Sequence, residues 1–266
     1  MASIYTHNRF GIEIIKSLND NLRSIANTYR DLFLFGNQGP DLYFFNVLEG
    51  MKKDAPGTYI HDRPGKDFIA KNKNLLKDKG LDSPYGAYMM GSICHFILDS
   101  HIHPYVNALI KGDYSHLDIE SELDRYYMLK DGLDPFKFDL DKLLPANSLA
   151  KYVFSFYDGY PHVTLKSTEK AIANFKRIKR IFKPTSLAKE KFFLTLLKLA
   201  GLSMFNGQVL RQVPFEEASN SNEILTKIFD NTLLEAPSLL KNALDFIFHD
   251  KTLDDKFNLN YNGVKI

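Results

Sequence analysis

The stretch SICHFILDSHIHPYV, residues 92–106, sets His95, Asp99, His101 and His103 within an apolar run. Such a run excludes ionisable groups unless the fold satisfies them, because a buried carboxylate or imidazole without a partner is costly. On a helix His95, Asp99 and His103 are one-turn neighbours sharing a face, whereas His101 points away from them. The chain must therefore bury this segment as a helix and bring something to its polar stripe. His116 and Glu120 repeat the one-turn spacing, and a His/carboxylate pair is a donor set for a divalent metal. Cys94 is the single cysteine, so any metal is left to His, Asp and Glu, and an internal disulfide is ruled out. Six of the eight histidines (7, 61, 95, 101, 103 and 116) fall in the first 116 residues, which concentrates the candidate chemistry in the N-terminal half.

Around that segment the apolar periodicity is helical almost everywhere. Residues 10–35 space Ile14, Leu18, Leu22 and Ile25 by threes and fours and stop at GNQGP, 36–40. A short helix is expected from Pro40 through DLYFFNVLEG, then a loop over 50–66 and a helix near 67–79. The apolar helix spans 84–103 and is expected to end around Pro104, whose ring is poorly tolerated in a helix interior. Ser115 and Asp118 form a capping-box-like pair that opens the helix carrying His116. Further helices are expected at 147–157, 165–183, 186–205, 221–232 and 236–249, and no segment alternates like a strand. The expectation is a single all-α domain over residues 1–266, with a metal-site half at about 1–130 and a helical half at about 131–266.

Composition narrows the context. With 44% hydrophobic and 25% charged residues the chain can bury a sizeable core, and a net charge of +2 singles out neither nucleic acid nor an anionic membrane as partner. The lone cysteine suits a reducing compartment, and no stretch of about 20 apolar residues or apolar leader stands out, so the expected location is cytoplasmic.

The order His7, GPD at 39–41, His61, His95-x-x-x-Asp99, HPY at 103–105 and His116-x-x-x-Glu120 resembles the zinc-dependent phospholipase C family, related to the S1/P1 nucleases. The matching motifs span about residues 5–125; the C-terminal half matches only in being helical. The resemblance implies a compact multi-helix fold around up to three zinc ions, and hydrolysis of phosphate esters by a zinc-bound hydroxide. By position Asp41, His61, His95 and Asp99 would hold one zinc, and His103, His116 and Glu120 a second. His7 and a bridging Asp99 would hold a third. Secreted members give that third zinc the amine and carbonyl of an N-terminal tryptophan, and this chain contains no Trp, so two zinc ions are expected first. Clustered zinc can neutralise phosphate oxygens and acidify a water, and the resemblance makes Asp41 the candidate general base.

The implied substrate is a phosphate ester, a phospholipid headgroup or a nucleotide. The segment 165–183 sets Ile172, Phe175, Ile178 and Phe182 opposite Lys176, Arg177, Lys179, Arg180 and Lys183, which suits peripheral membrane contact or a merely solvated face. No stable protein partner is inferred. His61-Asp62 also suits an HD-type metal phosphohydrolase, in which Asp62 would be a ligand. A non-enzymatic zinc-stabilised protein would instead close the coordination shell, and a membrane-associated scaffold would use the 165–183 face alone. His101, His162 and His249 have no correctly spaced partner and are assigned to surface or packing roles.

Overall fold

A computed structural model describes residues 3–46, 54–183 and 185–266. Among the described residues the elements are helical and no strand forms. In chain order the α-helices are α1 (Ile4–Ser17), α2 (Asp20–Thr28), α3 (Arg30–Gly36), α4 (Pro56–His61), α5 (Gly65–Lys79), α6 (Pro84–Leu109), α7 (His116–Lys130), α8 (Ala150–Tyr157), α9 (Leu165–Ile181), α10 (Leu187–Leu199) and α11 (Ala218–His249). Short 3-10 turns, notably Gly39–Phe45, Ser203–Gln208 and Asp255–Asn258, join them.

Helix α6 is the axis of the fold, with nearly every side chain from Gly86 to Val106 buried. Ser83 caps it by accepting the Gly86 N–H at 3.0 Å, and Pro84 occupies the first turn, where no N–H is needed. Helix α3 lies directly on it because Gly36 and Gly91 carry no side chain. A Cβ on Gly36 would stand 2.3 Å from the Tyr88 carbonyl, and one on Gly91 2.0 Å from that of Phe33. Buried apolar residues from Ile4 to Tyr261 form one cluster around this pair.

Tertiary packing redrew several boundaries. The helix expected over 10–35 begins at Ile4 and is divided into three; the first break comes where the Asn19 side chain takes the Leu22 N–H at 3.0 Å and restarts the chain as an N-cap, and the second falls at Tyr29. The expected loop over 50–66 contains α4, opened by Pro56. Residues 47–53, which include the end of DLYFFNVLEG and the start of that loop, lie outside the described residues. Pro104 does not end α6. The C-terminal segment packs against one side of this turn, where a Cβ on Gly263 would lie 2.5 Å from both Pro104 Cγ and the Ser100 carbonyl. Likewise 221–232 and 236–249 merge into α11 through Pro237, flanked by buried Ala236, Leu239 and Leu240. Helix α10 stops at Leu199, and a 3-10 turn follows from Ser203.

The 165–183 face also reads differently. Ile172 and Phe175 on α9 are core residues, with Phe175 stacked on Phe45 at 3.7 Å. Lys179 is buried against Gln208, while Arg180 and Lys183 pair with Asp141 and Asp139. Of the apolar side of that segment, Ile172 and Phe175 are thus enclosed by protein, whereas Ile178 and Phe182 are half-buried.

Candidate metal centre

Five elements deliver their polar residues to the middle of α6 and its C-terminal half. The helix itself presents His95, Asp99 and His103; α1 supplies His7, the Gly39–Phe45 turn supplies Asp41, α4 ends on His61, and α7 brings His116 and Glu120. Asp99 sits at the centre. Its Oδ2 lies 3.1 Å from His95 Nε2 and 3.7 Å from His61 Nε2, and its Oδ1 lies 3.1 Å from His7 Nε2 and 3.5 Å from His103 Nε2. Asp41 Oδ1 is 2.8 Å from His61 Nε2, and Asp41 Oδ2 is 3.7 Å from His95 Nε2. Glu120 Oε1 faces His103 and His116 at 3.5 and 3.6 Å. Donor atoms of His7, Asp41, His95 and Asp99 fall within 4.8 Å of one another, and so do those of His103, His116 and Glu120.

Local backbone chemistry allows this crowding. Gly39 has φ +50°, and a Cβ there would lie 2.2 Å from the His95 ring, so the GPD turn that carries Asp41 requires glycine at its first position. Four imidazoles are oriented from behind. Nδ1 of His61, His95 and His103 lies 2.7, 3.1 and 3.0 Å from the carbonyls of Gly57, Asn37 and Tyr261, and Nδ1 of His116 is 2.9 Å from Asn107 Oδ1. An acceptor at Nδ1 takes the ring N–H there and leaves the Nε2 lone pair toward the cluster, the arrangement typical of histidines that hold metals.

The donor set fits a cation. Both oxygens of Asp41 and of Asp99, together with His95 Nε2 and His103 Nε2, are buried and have no hydrogen-bond partner other than one another and the neighbouring imidazole and carboxylate groups of the cluster. Buried carboxylates left this way are strongly destabilising unless a positive charge offsets them. Protons are the competing positive charge. Burial disfavours protonated imidazoles, but the carboxylates outweigh it: Asp99 raises His7, Asp99 and then Glu120 raise His103, and Asp41 followed by Asp99 raises His61 to about 10. Burial also pushes Asp99 up, and His103, His95 and His7 together bring it well below the usual carboxylate range.

Seven of the eight residues expected at the site fall into these two groups, with His7 in the place expected for His61 beside Asp41, His95 and Asp99; His61 lies outside both groups, although its Nε2 is 2.8 Å from Asp41 Oδ1. Asp62 is exposed just past the end of α4 and takes no part, contrary to the HD-type reading. His101 turns to Glu235 at 3.1 Å, and His162 to Asp54 at 3.0 Å. Phe44 packs beside His61, whereas Tyr43 is a core residue bonded to Thr168.

The family model of zinc-dependent phospholipase C matches residues 6–183. The chain belongs to that family. No curated protein and no solved structure matches it. The family hydrolyses phosphate esters with zinc, and the buried His/Asp groups suit that metal. Among the described residues no helix is long and apolar enough to cross a membrane.

Two contributors to this phospholipase C-type centre escaped the sequence reading. Tyr261, beyond the matched residues, supplies the carbonyl behind His103 and receives its own chain contact through Tyr261 N–H to the His61 carbonyl at 3.2 Å. Nothing in the local sequence signals it. Asp124 did leave a signal, since 116, 120 and 124 continue one face of α7. Its carboxylate accepts from the Tyr5 N–H at 3.0 Å and from the Thr6 N–H and hydroxyl at 2.7 Å, which pins the first turn of α1 and thereby His7. Asp124→Ala leaves these buried donors unpaired and is expected to cost about 2–4 kcal/mol. Asp124→Asn keeps one acceptor and should cost less than half of that. Thermal unfolding of both variants checks the order; equal losses would show that the carboxylate is not the pin.

Proposed function

We propose that the protein is a zinc-dependent phosphoric ester hydrolase that acts on a phospholipid headgroup. The observation carrying this reading is the set of buried oxygens of Asp41 and Asp99 whose neighbours are imidazole Nε2 atoms already oriented from behind. Asp41, His61, His95 and Asp99 would hold one zinc, His103, His116 and Glu120 a second, and His7 with Asp99 a third. Zinc bound in such a set neutralises phosphate oxygens and acidifies a water.

The remaining work belongs to the chain. Asp41 Oδ2, the oxygen turned away from His61, accepts the proton of the attacking water, a role that a carboxylate held by the rigid GPD turn can fill. Asp99 keeps the two groups of donors in one arrangement, because each of its oxygens faces a different set of imidazoles. Access is from the α7 side. The His116 side chain is 27% exposed, whereas those of His95 and Asp99 are 0% exposed. The His103/His116/Glu120 group offers three donors, one short of the four that a closed structural zinc takes, which favours a reactive site over a purely structural one.

Protein purified without chelator is expected to carry about two zinc ions per chain, as multinuclear hydrolase sites do. Mass spectrometry of the native protein counts them. The same preparation should hydrolyse bis(p-nitrophenyl) phosphate and release phosphocholine from short-chain phosphatidylcholine. A zinc-loaded protein inert toward both would overturn the hydrolase reading.

A further inference from the structure

Helix α10 lies outside the residues that match the family, and its outer surface has the wrong chemistry for open water. Its inner side is anchored. Leu197 is buried, Phe193 meets Phe182 edge-on at 5.2 Å, and the buried Glu190 accepts the Gln212 N–H. Phe192, Leu196 and Leu199 are spaced by four and three on the opposite side, and they are 61%, 48% and 82% exposed. Ala188 continues the stripe by one turn. Lys191 and Lys198, seven residues apart and exposed, border it on one side, and the helix's single acidic residue is the enclosed Glu190.

We infer that this face of α10 docks the protein on an anionic phospholipid surface. An apolar stripe with a lysine border is the form of a helix that lies in a membrane interface, its apolar side sunk among acyl chains and its ammonium groups among phosphates. The choice of lipid rests on charge and on the proposed phospholipid reading. A second copy of the chain would bring no acidic group on this face to meet Lys191 and Lys198, as a self-complementary interface requires. The helix is also joined to the site. The Ser203–Gln208 turn that follows it packs on the first turn of α7, where a Cβ on Gly207 would lie 2.4 Å from Leu117 C, next to His116. Docking by α10 would hold that partly exposed histidine near the bilayer from which the ester is drawn.

The test is co-sedimentation of the full chain with vesicles of phosphatidylcholine and phosphatidylserine in equal parts, against vesicles of phosphatidylcholine alone. Wild-type protein is expected to bind the anionic vesicles more tightly, and less so as salt rises. Phe192→Ser/Leu199→Ser should weaken binding by about tenfold or more per apolar side chain lost. Lys191→Glu/Lys198→Glu should weaken it by about fivefold or more per lysine on the anionic vesicles only. All four positions are exposed, so thermal midpoint, zinc content and the rate on bis(p-nitrophenyl) phosphate should match wild type. Wild-type binding that both variants retain, or no wild-type binding to either vesicle, overturns the docking surface. So does a wild-type dimer in analytical ultracentrifugation that Phe192→Ser/Leu199→Ser converts to monomer. Lysine- and stripe-dependent binding by a protein that hydrolyses no phosphodiester would support docking and refute the hydrolase reading alone.

Discussion

Asp99→Asn is expected to lose zinc and to slow phosphodiester hydrolysis by a factor on the order of 100 or more, since loss of a group merely behind the ligands costs roughly 10–100-fold. The substitution keeps size and shape but removes the negative charge from the centre of the site. One amide nitrogen would then replace an oxygen that faces either His95 and His61 or His7 and His103. Cations held on the two sides would repel without the intervening charge. His103, His116 and Glu120 form a separate group, so metal should survive there. Zinc stoichiometry and the rate on bis(p-nitrophenyl) phosphate, measured on one preparation, decide the matter. Full zinc with full activity would mean that Asp99 is only a hydrogen-bonding neighbour of core histidines.

Zinc removal gives the second large effect, and its size should depend on pH. In the metal-free protein His61 is raised from 6.5 to about 10, chiefly by Asp41 against the opposing effect of burial, and His7 and His103 are raised in the same direction. A base whose folded pKa is raised contributes stability that is fully present below its unfolded value and is lost as pH climbs through the folded one. Chelated protein should therefore lose stability steadily between about pH 6.5 and pH 10. Zinc binding changes in the opposite sense, because the ligand imidazoles must give up protons first. The gap between loaded and chelated protein should widen across that window. At free zinc near 1,000 times the dissociation constant it would reach about 4 kcal/mol, or about 10 °C in a chain of this size. Thermal scans at several pH values test this. A zinc-induced shift that is absent, or that shrinks with rising pH, would show that the carboxylates and imidazoles form a self-sufficient ion-pair network.

The donors of the metal centre were legible because helical geometry converts spacing into proximity. His95, Asp99 and His103 share a face whatever the helix packs against, and so do His116 and Glu120. The apolar residues between them made a buried helix the only economical fold for that run, and the order of His7, Asp41 and His61 around it pointed to the family. Other features depended on partners distant in sequence. Pro104 reads as a break and 233–235 as a gap before Pro237, yet the packing of the flanking residues outweighs one missing hydrogen bond, and both helices run through. Asp124 continues the face of His116 and Glu120, but its role appears only when α1 places the donors of Tyr5 and Thr6 against it, 119 and 118 residues away. The carbonyl of Tyr261 orients His103 across 158 residues, a contact that exists only because the C-terminal segment folds back over α6. Surface assignment shows the same limit. Helix α9 is amphipathic by sequence and α10 carries apolar residues on several sides, and neither pattern says which apolar side the core will claim. The core takes Ile172 and Phe175 of α9 and leaves Phe192, Leu196 and Leu199 of α10 in solvent, because burial is a property of the neighbours a helix finds and not of its own pattern.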